Sequence, residues 1–162
     1  MPHSSSITKE DFTEVAAEGS LYECKPSPEL IAAFEKKATK VVCSNDEILF
    51  RDGEHGDCIY LVLAGEVALL LPLTSTDVMG FRAQSGSFLG LPAAFSLEPF
   101  SMTAIGWEGT ELAVMSRDRF KDLIGTSPTL ALDVLKILAA EARAARAAIA
   151  HAVPVEPSQR KS

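Results

Sequence analysis

Residues 47–71 read EILFRDGEHGDCIYLVLAGEVALLL. Three apolar runs, EILF, CIYLVLA and EVALLL, are separated first by a polar loop and then by a single glycine. Each run has the length of a strand and none has the length of a helix. Asp52-Gly53 and His55-Gly56 punctuate the loop, and Gly65 marks a tight antiparallel connection. Outward from this stretch the pattern continues. KVVC lies upstream, and VMGFRA, MTAIGW and ELAVM lie downstream, with turns at Ser85-Gly86 and Glu108-Gly109. Many short strands at this spacing between residues 39 and 115 predict an all-β barrel, roll or sandwich.

Helix signals flank the strands. Ser27-Pro28 places an N-cap before a proline at the first helical position, and Leu30, Ile31 and Phe34 supply an apolar face. Ser116 caps a second helix, with Asp118 in its first turn and Gly125 at its end. Ser127-Pro128 repeats the signal and opens a long helix over 128–152, with Pro154 just beyond it. Residues 1–26 read as a flexible tail with at most a short helical turn near 11–17, and 153–162 as a disordered one. The folded domain is therefore expected over 27–152.

The long helix carries Ala131, Leu135, Leu138, Ala142, Ala145, Ile149 and Ala152 at alternating spacings of four and three. This heptad stripe lets two helices approach closely. Lys136, Glu141, Arg143 and Arg146 stay off it, and Val134 and Ile137 point towards the β body. The alternative is that the stripe buries the helix on its own domain. A helix of this length spans roughly 37 Å, more than a small β body covers, so the expected partner is a second copy, in a homodimer.

Composition excludes several classes. The chain has 162 residues, 47% of them hydrophobic, and a formal net charge of -7. An acidic chain is a poor general binder of nucleic acid, which demands clustered Lys and Arg. No apolar run approaches the roughly 18 residues of a membrane span, and the N-terminus MPHSSSITKE lacks the pattern of a signal peptide. The expected location is the cytoplasm. Cys24, Cys43 and Cys58 form no Cys-x-x-Cys pair and read as reduced thiols. Asp52, Glu54, His55 and Asp57 share one loop and read as a solvated turn. No hydrolase, metalloprotease or nucleotide-loop motif occurs, and the strands lack the histidines of a metal-binding barrel, so neither an enzyme, a cofactor nor a metal site is expected.

Three features in order resemble the cyclic-nucleotide-binding domains of the cyclic-AMP receptor/FNR superfamily. The first is the opening block, with Leu49-Phe50, Gly53, Gly56, Tyr60 and Gly65. The second is GSFLGLPAAFSLEPFSMTA over 86–104, which has the position and shape of that family's phosphate-binding cassette. The third is MSRDRFKDLI with the long helix, similar to the family's closing helices. The resemblance covers about 40–152. It implies a mainly β fold with flanking helices, a double-stranded β-helix or jelly-roll-like β-roll, closed by a long C-terminal dimerisation helix.

In the family the cassette presents glycine and glutamate, then arginine about nine residues later. The arginine neutralises the cyclic phosphate and the glutamate accepts from the ribose hydroxyl. This chain keeps Gly90 but has Leu91 at the glutamate position and Phe100 at the arginine position. No basic residue occurs from Ala83 to Glu111. The implied site is Leu89, Gly90, Leu91, Phe95, Phe100 and Ser101. Two readings remain open: the pocket is filled by Leu91, Phe95 and Phe100, or it accepts a less charged, small apolar ligand. Haem would need an axial ligand, and His3, His55 and His151 lie in the tail, the glycine loop and the helix end.

The expectation is thus a stand-alone sensory or regulatory domain that does not bind cAMP or cGMP. It would act through dimerisation and a different ligand or a protein partner. The family's DNA-reading helix-turn-helix would need more than residues 153–162, so direct DNA binding by this chain is not expected. Two alternatives are the effector domain of a receptor/FNR-type transcription regulator whose DNA-binding part is absent, and a cyclic-nucleotide binder with an unusual pocket.

Overall fold

Strands that stay apolar without alternation need cover on both faces. In the computed structural model, which describes residues 7–152, the runs at 58–71 receive that cover. The strands are β1 (Thr39–Val42), β2 (Glu47–Phe50), β3 (Cys58–Ala64), β4 (Glu66–Pro72), β5 (Val78–Gln84), β6 (Phe88–Leu89), β7 (Thr103–Gly106) and β8 (Glu111–Ser116). They form two four-stranded sheets, ordered β1-β8-β3-β6 and β2-β7-β4-β5, with antiparallel pairing throughout. Between the sheets lies a core that includes Val62, Val67, Leu69, Phe81, Leu89 and Leu112. Because successive side chains alternate faces, Ile59 and Leu61 of β3 pack outward against helices. Ala68 and Leu70 of β4 likewise pack outward on the other sheet. The mainly β jelly roll with flanking helices is the architecture expected from the sequence. Strand β6 was not among the expected runs, since two residues show no period. It is defined by pairing Leu89 with Tyr60 and Phe88 with Leu61.

Helices α2 (Pro28–Lys37), α4 (Arg117–Gly125) and α5 (Pro128–Ala152) cover the outer face of the first sheet. All three begin where the serine caps predict. The hydroxyls of Ser27, Ser116 and Ser127 accept from the backbone N–H of Leu30, Arg119 and Leu130 at 3.1, 3.2 and 3.3 Å. Phe34 meets Phe88 and Phe120 edge-on, with centroids 5.0 and 5.8 Å apart. Val134 and Ile137 of α5 are buried in this layer, as their spacing implied.

The N-terminal region differs from the loose tail expected over 1–26. Within the described residues, α1 (Lys9–Val15) starts with a reciprocal capping box between Thr8 and Asp11. Phe12 is buried against Trp107 at 5.9 Å, on the outer face of the second sheet. The Ala17 N–H donates to the Gly80 carbonyl at 2.7 Å. Gly80 makes this docking possible, because a Cβ there would lie 2.7 Å from the Phe12 ring. Leu21 and Tyr22 are then buried at the junction with the main core. One aromatic anchor per short helix is too little periodic signal to read from sequence. Residues 1–6 and 153–162, including the C-terminal tail expected to be disordered, lie outside the described residues.

Candidate functional site

Strand β6 ends at Gly90, which takes φ 90°. That left-handed conformation suits glycine, and a Cβ there would stand 3.1 Å from the Cys58 carbonyl oxygen. The chain turns into α3 (Leu91–Ser96), a helix of six residues. Its two sides meet different surroundings. Leu91 is fully buried in the layer with Phe88 and Phe120, and Phe95 meets Phe120 edge-on at 6.2 Å. Pro92, Ala93 and Ser96 instead line a cavity of about 180 Å³.

Phe100 closes one wall of that cavity. Its N–H donates to the Glu54 carbonyl at 2.9 Å, and its carbonyl accepts from Gly53 at 2.8 Å. This double backbone pairing locks the segment onto the β2–β3 loop. The Phe100 ring stacks on Phe50, with centroids 3.9 Å apart and planes at 18°. It also covers Gly56, where a Cβ would collide with the ring. Gly53 and Gly56 therefore both serve Phe100: the first bonds its backbone and the second makes room for its ring.

The lining also includes Tyr22 and, from α5, Glu141. Glu141 is only 6% exposed, and its Oε1 has no hydrogen-bond partner among the described residues. Burial pushes its carboxyl up to about 7, because a low-dielectric setting disfavours the charged form. The Tyr22 hydroxyl is raised well above its ordinary value, first by burial and then by the Glu141 charge. The lining contains two carboxylates, Glu98 and Glu141, and no Lys, Arg or His among the described residues.

Of the six residues expected at the site, Gly90, Phe100 and Ser101 meet at this cavity. Leu89 lies between the sheets, while Leu91 and Phe95 turn to the far side of α3. A helix changes face within two residues, so neighbours in the cassette cannot all point into one pocket. Sequence reading missed Tyr22 and Glu141. A signal for Glu141 existed: Leu130, Val134, Ile137 and Glu141 are spaced four, three and four, which puts a carboxylate on the packing stripe.

The stripe expected to form a dimer interface is split. Ala131, Leu138 and Ala145 are half-buried along the domain, whereas Leu135, Ala142 and Ile149 are exposed. Leu132 and Ala139 join the exposed set, giving an outward face at 132, 135, 139, 142 and 149. A larger groove of about 650 Å³ runs beside β5 and the end of α5, lined by Met79, Phe81 and Ala148 together with Glu18, Glu23 and His151. It carries no orphaned polar atom among the described residues.

Residues 40–127 match the family described as the cyclic nucleotide-binding domain. The chain belongs to the cyclic nucleotide-binding domain family. Among solved structures, the Thermus thermophilus catabolite activator protein is similar at 23% identity and TM-score 0.66, over 75% of this chain and 57% of that one. The N-terminal domain of a Streptomyces coelicolor transcriptional regulator is similar at 18% identity and TM-score 0.58, over 81% and 92%. The c-di-GMP responsive regulator CLP of Xanthomonas campestris aligns at 20% identity and TM-score 0.58, over 76% and 59%. The chain thus spans little more than half of the Thermus protein. No curated protein sequence matches it. Neither Leu91, which faces α4, nor Phe100, which stacks on Phe50, brings a polar group to the cavity.

Proposed function

We propose that this cyclic nucleotide-binding-family domain is a sensory module, not an enzyme, whose cavity takes a ligand other than cAMP or cGMP. We further propose that it dimerises through α5. The observation that carries the ligand reading is the lining itself, with two carboxylates and no basic side chain among the described residues. A cyclic phosphate held there would face like charge without a counter-ion. Losing the partner of a buried charge pair costs about 2–5 kcal/mol, out of the roughly 8 kcal/mol that micromolar binding represents. The c-di-GMP responsive relative supports the idea that the fold serves more than one ligand class. The dimer reading is supported by Leu132, Leu135 and Ile149, which stand 52%, 61% and 37% exposed on one face of α5.

Isothermal titration with cAMP and cGMP is expected to show no binding up to about 1 mM, where association is worth only about 4 kcal/mol. Binding at micromolar concentration would overturn the ligand reading. Native mass spectrometry of the full chain reports oligomer and retained ligand together. A dimer is expected, and Leu135→Glu with Ile149→Glu is expected to yield a folded monomer. A monomeric parent protein, or a variant that remains dimeric, refutes the interface.

A further inference from the structure

We propose that the cavity binds a small, single-ring organic cation, an amidinium or aromatic ammonium, with the carboxylate of Glu141 as its ionic partner. The inference rests on the ligand-sensing reading above and names the ligand class for that site.

Glu141 carries an orphaned oxygen. Buried polar atoms are almost always paired, and an exception asks for a missing partner. Glu141 Oε1 is such an exception among the described residues, in a side chain more than nine-tenths buried and lining a cavity. The charge at the cavity points the same way. Glu98 lies at the same cavity, and the lining supplies no counter-ion for either carboxylate. An anion would be repelled. A neutral donor would supply one hydrogen bond and leave the charge uncompensated. A cation supplies both, through a short charge-assisted bond.

Size and shape narrow the class. Pockets for drug-sized ligands run to about 300–1,000 Å³, while an apolar cavity of roughly 150 Å³ takes one benzene ring. The volume here, about 180 Å³, therefore suits one ring with a polar substituent. Phe50, Phe100, Tyr22 and Met102 contribute to the walls; aromatic faces and a thioether favour a flat cation. Burial holds the Glu141 carboxyl up to about 7, so a cation that selects its ionised form displaces a proton when it binds near or below that pH. Tyr22 and Glu98 are the other titratable groups facing the site. Because Glu141 belongs to α5, the ion pair would form on the same helix that presents the outward apolar face.

Three probes share one ring and differ in charge: benzamidine, benzamide and benzoate. Each is titrated into the full chain at pH 6 and pH 8, with calorimetry and backbone amide NMR. Benzamidine is expected to bind, up to about tenfold tighter at pH 8, as the ionised fraction of a group titrating near 7 dictates. The resonances of Gly90, Phe100 and Glu141 should move. Glu141→Gln keeps the side-chain shape and buries no charge, so it folds; it should weaken benzamidine at least about tenfold. Glu98→Gln, an exposed carboxylate of the same lining, should weaken it less than Glu141→Gln does. Benzamidine binding equally well to Glu141→Gln, or benzoate binding as tightly as benzamidine, overturns the assignment. If benzamide or benzoate moves the cavity resonances and benzamidine does not, the cation class falls while ligand sensing stands. If no probe reaches the cavity, the cation class also falls, and ligand sensing is judged separately by what the native mass spectrum retains.

Discussion

Replacing Glu141 with Gln should make the protein more stable at pH 8 while leaving it almost unchanged near pH 4.5. The folded state raises this carboxyl from its ordinary 4.5 to about 7 through burial. Below about pH 4.5 both folded and unfolded chains are protonated and the stability contribution is complete. Between 4.5 and 7 the unfolded chain ionises first, so it binds fewer protons and stability falls as pH rises. Above 7 both states are ionised and the full loss persists. Each tenfold change in proton affinity is worth about 1.4 kcal/mol, so the loss is on the order of 3 kcal/mol. In a domain of this size it corresponds to a Tm difference of about 6–12 °C. Glutamine occupies the same volume and has no such titration. Glu98 is present in both proteins, and Tyr22 keeps its proton across this pH range because burial raises its hydroxyl well above the ordinary value. Urea unfolding of parent and variant at pH 4.5, 6, 7 and 8 measures the effect. The gap should widen with pH and level off above 7. Parallel curves would mean that water reaches the carboxylate in the folded state, and the argument from burial would fail.

Two further outcomes follow from packing. Leu91→Glu supplies the carboxylate that the resemblance to the family implies at this position, but this side chain is wholly buried against the helical layer. It is expected to lose several kcal/mol of stability and still not bind cAMP; a stable variant that binds cAMP in calorimetry refutes the placement of Leu91. Gly80→Ala drives a methyl into the Phe12 ring and is expected to cost about 1–3 kcal/mol. Trp107, the single tryptophan, packs against Phe12, so its emission should report the loosened helix; unchanged emission and unchanged urea midpoint would contradict the docking of α1.

The strand blocks were legible because their signal is local. CIYLVLA and EVALLL are apolar on both faces, and the structure buries both faces, one between the sheets and one beneath helices. Serine caps were equally legible, since the hydroxyl that starts each helix bonds a backbone N–H three residues away. The candidate site was only half legible. Gly90, Phe100 and Ser101 converge, yet the cassette helix turns Leu91 and Phe95 away, and two residues from distant segments complete the cavity. In α5 the phase was ambiguous. Alanine fills many positions and fits either a buried or an exposed face, so the stripe through Ala131 and Leu138 was as plausible as the packing stripe through Val134 and Ile137.

The sequence by itself determined the jelly roll and the helix starts. Those features depend on residues close in the chain: a strand period, a cap, a glycine turn. Only the tertiary structure decided that α1 docks on the second sheet through Phe12 and Gly80, and that Glu141 faces a cavity without a counter-ion. That carboxylate shares its cavity with Tyr22, Phe50 and Gly90, which lie far from it in sequence and meet it only when the two sheets and α5 close together.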